Sequence, residues 1–352
     1  MLIKGLIYKI AETKLPTKLN LNYINKFNSS ISDKNKIFLS NFMISELKVR
    51  LAHKVIELNN LPYGLNDSPF IEKVSNLYVN SFEKINKINE VNDLNTANKL
   101  VNQLYLIKEK HKFLEYDISR AILNLIETNN NEYDFNIDNF LDKFYNSRIG
   151  IRIIISQYLS VFKKELSIID ENCNPNKIIN EAIEEVKFLA NMNNINVPKI
   201  KIYISEDFTF TYIYSHIYYI ILEILKNSIV GIHNNSKITN DINKDIDKNI
   251  INIFISKGQN DLIIKISDFG GGFARDKMDK IFSYGYTTSK ADFNKNNNNN
   301  NYVISGYGHG IPLSRLYCRY FGGELKIIPF EGIGTDVLIY INRLGNSEEN
   351  IL

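Results

Sequence analysis

The chain has no tryptophan, four methionines, seven prolines and two cysteines in 352 residues. Cys173 and Cys318 show no paired spacing, which excludes a disulfide framework and a zinc site and fits a reducing compartment. No stretch approaches the ~20 consecutive apolar residues that a bilayer span requires, so no membrane insertion is expected. A formal net charge of +3 lacks the strongly basic balance of a nucleic-acid partner, and none is expected. What is present, 44% hydrophobic and 23% charged residues, is an ordinary globular composition. At this length two cores are expected rather than one.

Few glycines or prolines interrupt residues 39 to 165, where apolar residues recur at helical spacing. Helices are expected near 39–58, 69–90, 93–128 and 136–164. The first is marked by Phe42, Leu47, Leu51, Val55 and Leu58 and is stopped by Asn59-Asn60-Leu61-Pro62-Tyr63-Gly64. Amphipathic helices joined by short polar loops predict an antiparallel four-helix bundle over 21–168. Residues 1–20 carry Lys4, Lys9, Lys14 and Lys18 against Glu12 alone, a pattern shared by a presequence, a flexible N-terminus and an amphipathic first helix.

Beyond residue 166 the pattern becomes mixed. Helices are expected near 175–193 and 212–230, and strands near 199–204, 249–257, 261–267, 324–330 and 335–342. Gly258-Gln259-Asn260 and Glu331-Gly332-Ile333-Gly334 serve as hairpin turns. The prediction is an α+β sandwich over 169–345, helices on one face of a mixed sheet, with 346–352 as a tail. The run Asn296 to Asn301 has no packing value and is expected to be a disordered insertion.

Three constellations fall within this second half. On a helix, Glu223, Lys226, Asn227 and Val230 share a face. The Asn227 amide oxygen suits Mg²⁺, and Glu223 is placed to take a proton from an attacking nucleophile. Asp268 ends a strand and is followed by Gly270-Gly271-Gly272. Its carboxylate can accept from an adenine amino group, while the glycines admit a flat ring close to backbone. Gly306-Tyr307-Gly308-His309-Gly310 opens onto a helix beginning near Ile311-Pro312, whose unpaired N–H groups suit phosphate oxygens. The preceding strand of a Rossmann fingerprint is missing, as are a Walker loop and the motif set of ordinary protein kinases.

These residues make the C-terminal half resemble the Bergerat-type ATPase fold of gyrase, heat-shock chaperones and sensor histidine kinases. The resemblance is closer to the mitochondrial pyruvate dehydrogenase kinase and branched-chain 2-oxoacid dehydrogenase kinase family. It rests on Glu223-Ile-Leu-Lys-Asn-Ser228, Ile266-Ser-Asp-Phe-Gly-Gly-Gly272, Ile281-Phe-Ser-Tyr-Gly-Tyr-Thr-Thr288, Gly306-Tyr-Gly-His-Gly-Ile-Pro-Leu-Ser-Arg315 and Glu331-Gly-Ile-Gly-Thr-Asp336. Glu46-Leu-Lys-Val-Arg-Leu-Ala52 and Phe140-Leu-Asp-Lys-Phe-Tyr-Asn-Ser-Arg148 extend it into the N-terminal half, so that it spans about residues 20–343.

The resemblance implies an ATP- and Mg²⁺-dependent serine kinase of the mitochondrial matrix. It would act on the E1 component of a 2-oxoacid dehydrogenase complex, pyruvate dehydrogenase favoured, inactivating it. It also implies a lipoyl-bearing E2 core as partner and a homodimer. Glu223 would be the general base, Asn227 the metal ligand, and Lys226 a nucleotide contact. Asp268, Gly270, Gly272 and Thr335 would form the adenine pocket. Thr287 and Thr288 would lie by the nucleotide, and Gly306, Tyr307, Gly308, His309, Gly310 and Ile311 would form the phosphate lid.

Tyr219 stands where the pyruvate dehydrogenase kinases usually have histidine, and Val230 where arginine is common. The tryptophan-bearing tail of the family has no counterpart before Leu352, so tail-dependent docking is expected to be lost or replaced. His111 takes the vestigial phospho-acceptor position and is expected to be a surface or supporting helix residue. His53, His216 and His233 have no metal spacing. The rival readings are a protein histidine kinase, which an acid-labile phosphoprotein would reveal, and a catalytically weak nucleotide-binding scaffold.

Overall fold

The computed structural model describes residues 2–27, 31–61, 65–128, 135–238, 249–286 and 308–351. The chain divides into two compact units, 1–169 together with 348–352, and 170–347.

The first unit is helical: α1 (Leu2–Thr13), α2 (Leu21–Asn25), α3 (Asp33–Asn59), α4 (Pro69–Asn86), α5 (Leu94–Lys110), α6 (Leu114–Thr128) and α7 (Phe135–Val161). Ser32 starts α3 by accepting the Asn35 N–H at 3.3 Å, and Asp93 starts α5 by accepting that of Thr96 at 2.7 Å, each satisfying an orphan donor. Leu47, Leu51, Val55 and Leu58 of α3 are buried, and α3 packs against α1, α4, α5 and α7. Arg50 ties this unit's distant segments together. It donates to Glu46 at 2.7 Å, to the Thr17 carbonyl at 2.8 Å and to Glu349 at 3.2 Å, while the Glu349 N–H donates to the Leu19 carbonyl at 2.8 Å.

The single helix expected over 93–128 is two helices, α5 and α6. The break falls at His111, whose backbone leaves helical geometry (φ −84°, ψ 3°) and whose carbonyl accepts from Arg148 of α7 at 3.2 Å. His111 is also not a surface residue. It is 6% exposed, lies 2.8 Å from the Ser81 hydroxyl and meets Tyr78 edge-on at 4.7 Å. Burial depresses its pKa to about 4.

The second unit contains β1 (Ile169–Cys173), α8 (Pro175–Met192), β2 (Lys199–Ile204), β3 (Phe210–Ile213), α9 (Tyr214–Ile238), β4 (Ile250–Lys257), β5 (Asp261–Asp268), α10 (Gly310–Arg319), β6 (Glu324–Phe330) and β7 (Gly334–Asn342). Five strands form one sheet in the order β2-β4-β5-β7-β6, parallel between β2 and β4 and antiparallel elsewhere. The start of the helix expected at 212 is corrected. Tyr212 and Ile213 belong to β3, which pairs with β1 and whose aromatic and β-branched residues favour extended backbone.

Alternation sets the layers. Ile251, Ile253 and Ile255 of β4, Leu262, Ile264 and Ile266 of β5, and Val337, Ile339 and Ile341 of β7 are buried. Helix α9 packs on β5, and α10 on β6 and β7. Ile217, Ile220, Ile221, Ile224 and Leu225 of α9 are at most 2% exposed. At ~1.5–3 kcal/mol for each buried side chain, this apolar stripe contributes about 10 kcal/mol toward fixing α9. The opposite, polar stripe of the helix is thereby aimed at one place.

Candidate functional site

That polar stripe forms one wall of a cavity of about 550 Å³. Glu223, Lys226, Asn227, Val230, Gly231 and Asn234 line it from α9, at the three- and four-residue spacing of a single helix face. Asp268, Gly270, Gly271 and Gly272 supply a second wall, Gly308, Gly310 and Ile311 a third, and Thr335 of β7 closes the side. The structure therefore brings together Glu223, Lys226, Asn227, Asp268, Gly270, Gly272, Gly308, Gly310, Ile311 and Thr335. Thr287, Thr288, Gly306, Tyr307 and the run Asn296 to Asn301 lie outside the described residues.

Glu223 accepts from the Lys226 ammonium at 2.6 Å, with both side chains only 12–15% exposed. Its second oxygen lies against the first residue of α10: a Cβ placed on Gly310 would sit 2.3 Å from Glu223 Oε2. Glycine here is a requirement of close approach, and it lets the carboxylate stand at the N-terminus of α10. Asn227 is exposed at the cavity lip.

Asp268 is held from two sides. Its Oδ1 accepts the Gly270 N–H at 2.9 Å and its Oδ2 accepts the Ser228 hydroxyl at 2.8 Å. Burial raises its pKa above the ordinary carboxylate value, against the pull of these bonds and of the Thr335 N–H. The glycine turn is itself pinned to the β6–β7 hairpin, where the Gly332 N–H donates to the Gly271 carbonyl at 2.8 Å. His309 is 8% exposed, edge-on to Tyr284 at 5.3 Å, and burial lowers its pKa to about 4. It supports the start of α10 and does not line the cavity.

Among the described residues no three His, Cys, Asp or Glu side chains cluster to hold a metal. A divalent cation here would take the Asn227 amide oxygen and fill its remaining positions with phosphate oxygens and water. That suits Mg²⁺ and not a soft-ligand metal.

Sequence reasoning assigned no role to Ser228, Gly231 or Lys277, which also line the cavity. For Ser228 a signal existed. It is a hydroxyl among Ile224, Leu225 and Ile229 on a helix flank that has to be buried, and a buried hydroxyl needs a partner.

Residues 18–181 match the family described as mitochondrial branched-chain alpha-ketoacid dehydrogenase kinase. Residues 213–344, which contain every cavity wall, match the histidine kinase-, DNA gyrase B- and HSP90-like ATPase family. A mitochondrial pyruvate dehydrogenase (acetyl-transferring) kinase of Arabidopsis thaliana is 32% identical over 342 residues, covering 95% of this chain and 92% of the relative. Its counterpart from Drosophila melanogaster is 30% identical over 360 residues, covering 96% and 84%. The chain belongs to the mitochondrial pyruvate dehydrogenase kinase family. Human isozyme 3 is 29% identical over 332 residues, covering 87% of this chain and 78% of that relative. The Tyr219 ring packs at a tilt against that of Tyr317 in α10, 5.1 Å between centroids, and Val230 presents an apolar side chain to the cavity.

Proposed function

We propose that this chain is an ATP-dependent protein serine kinase of the mitochondrial matrix that phosphorylates the E1 component of the pyruvate dehydrogenase complex and so inactivates it. The observation that carries the reading is a carboxylate, Glu223, standing at a glycine-built helix N-terminus inside a cavity whose other wall is a buried aspartate, Asp268. The cavity thus offers a base, a phosphate cradle and an adenine partner in one enclosure.

Asp268 accepts from the adenine amino group, with Gly270, Gly272 and Thr335 shaping the ring slot. Gly308, Gly310 and Ile311 offer backbone N–H groups to the phosphates, and Gly306, Tyr307, Thr287 and Thr288, outside the described residues, would complete the nucleotide contacts. Lys226 contacts phosphate while holding Glu223. Asn227 would hold Mg²⁺, which would neutralise charge on the phosphates. In the transfer the substrate serine Oγ forms a bond to the γ-phosphorus, and the bond to the β–γ bridging oxygen breaks. ADP leaves with that electron pair, and the serine proton passes to the Glu223 carboxylate.

The partners are E1 as substrate and the lipoyl-bearing E2 core as docking site, and the enzyme is a homodimer. A histidine kinase reading is not favoured, because His111, at the position such an enzyme would phosphorylate, is buried and bonded to Ser81.

The test incubates the purified chain with labelled Mg-ATP and E1, beside Glu223→Gln and Asn227→Ala. Label on E1 serine, lost in both variants, is expected. No serine label with the unaltered chain refutes the kinase assignment, and label undiminished by Glu223→Gln refutes the base.

A further inference from the structure

We propose that Ser228 is a positioning residue for nucleotide selection: its hydroxyl fixes the Asp268 carboxylate in the orientation that meets an adenine amino group. The inference rests on the reading of Asp268 as adenine's partner. Ser228 is 3% exposed and donates to Asp268 Oδ2 at 2.8 Å, while Gly270 N–H donates to Oδ1 at 2.9 Å. Two donors on different oxygens from different elements stop the carboxylate turning about its last bond. With the Thr335 N–H as a third donor, three of the four lone-pair positions of the carboxylate are taken, and one remains to accept from the ligand.

The geometry that lets Ser228 reach is built into the backbone. Helix α9 and the turn after β5 touch at Gly231 and Gly270, where a Cβ added to Gly270 would lie 2.9 Å from the Gly231 carbonyl carbon. One turn before that contact, the short serine side chain spans the gap to the end of β5. With alanine, Asp268 would keep its backbone donors Gly270 and Thr335 but lose the hydroxyl that holds Oδ2 from α9. The same hydroxyl also opposes the effect of burial on Asp268 ionisation. The other charge near this carboxylate, Asp336, opposes its ionisation and is itself paired with Lys265 at 2.7 Å. An ionised, oriented carboxylate is what distinguishes adenine from a purine without the 6-amino group.

The experiment measures equilibrium binding of ATP and of purine riboside triphosphate, which lacks the amino group, to the full chain and to Ser228→Ala and Ser228→Thr. The unaltered chain should prefer ATP. Ser228→Ala should weaken ATP by about tenfold, the scale of one hydrogen bond to a charged group, and leave purine riboside triphosphate within about twofold. Ser228→Thr, which keeps the hydroxyl, should restore the preference. In turnover Ser228→Ala should raise KM for ATP with kcat retained at saturation, and the acid limb of ATP affinity should move to higher pH. Equal weakening of both nucleotides, an unchanged preference in Ser228→Ala, or no rescue by threonine overturns the proposal. If the unaltered chain shows no preference for ATP, the adenine role of Asp268 and the role of Ser228 fall together. If it prefers ATP but puts no phosphate on E1, only the kinase reading falls.

Discussion

Gly310→Ala tests the catalytic geometry more sharply than removing any charged group. The new methyl would stand 2.3 Å from Glu223 Oε2 and 3.2 Å from its Cδ, where ordinary contact begins at 3.4 Å. The Glu223 carboxylate must therefore retreat by about 1 Å, a displacement worth about 10²-fold in rate when it misplaces a catalytic group. The cost to the fold is small, because the atom in the way is the end of a flexible side chain and alanine is accepted at a helix start. A change within ~1 kcal/mol is expected. Serine phosphorylation of E1 under saturating Mg-ATP should thus fall by about 10²-fold, with melting temperature and ADP affinity close to those of the unaltered chain. Combining Gly310→Ala with Glu223→Gln should add little to Glu223→Gln alone, since both act on one group. A kcat within about threefold of the parent, with the fold and ADP binding intact, would refute the argument that Glu223 acts from this position.

Three further outcomes follow from groups already placed. Arg50→Ala leaves the carboxylates of Glu46 and Glu349, 5% and 0% exposed, without their cation, and should cost ~3–5 kcal/mol in chemical denaturation. A loss below about 1 kcal/mol would mean that the network is not formed. Asp268→Asn should weaken ATP binding yet not destabilise the protein at pH 7. The raised pKa of Asp268 means that the folded state binds more protons than the unfolded one between its ordinary and raised values, so its ionisation opposes folding as pH rises through that window. A marked loss of stability in Asp268→Asn at neutral pH would contradict this. His111 and His309, each lowered to about 4 by burial, remain neutral in the fold while an exposed histidine takes up protons below about 6.5. Their contribution to stability is therefore lost as pH falls from about 6.5 toward 4, and their ring resonances should not titrate above about pH 5. A midpoint near the ordinary histidine value for either ring would show it to be exposed.

What could be seen in the sequence was what local periodicity encodes. The Ile217, Ile220, Ile221, Ile224 and Leu225 stripe and the Leu262, Ile264 and Ile266 alternation each carry their burial in their spacing. The strand was accordingly expected within one residue of where it stands, and the helix over its central turns, although α9 begins at Tyr214 and continues to Ile238. What could not be seen depends on partners far along the chain. The break at His111 is made by Arg148 on α7 and by Tyr78 and Ser81 on α4, none of which a window around residue 111 contains. β3 exists because β1 pairs with it, although Phe210 to Ile213 lead directly into a helical pattern. The bond between Arg50 and Glu349 closes a separation of 299 residues. Ser228 is intermediate: its own flank implied a partner, but that the partner is Asp268 follows only from the approach of α9 to the end of β5.

The proposed site owes its spacing to close approaches that glycines permit, and this bears on Tyr219 and Val230. The distance between α9 and the glycine turn is set where Gly231 meets Gly270, and the distance between α9 and α10 where Glu223 meets Gly310. Neither contact involves residue 219 or 230. Tyr219 instead packs against Tyr317, adding an aromatic contact between α9 and α10, the two helices whose separation places Glu223. With no imidazole on that turn, the group that holds Glu223 is Lys226 at 2.6 Å. An ammonium has three donors, so Lys226 can keep the carboxylate while offering another hydrogen to a phosphate oxygen. In the proposed mechanism the base is thus oriented by the same cation that meets the nucleotide. Activity in this chain should be more sensitive to Lys226→Met than to Tyr219→His. The reverse order in phosphorylation of E1 would show that residue 219, and not Lys226, governs the base.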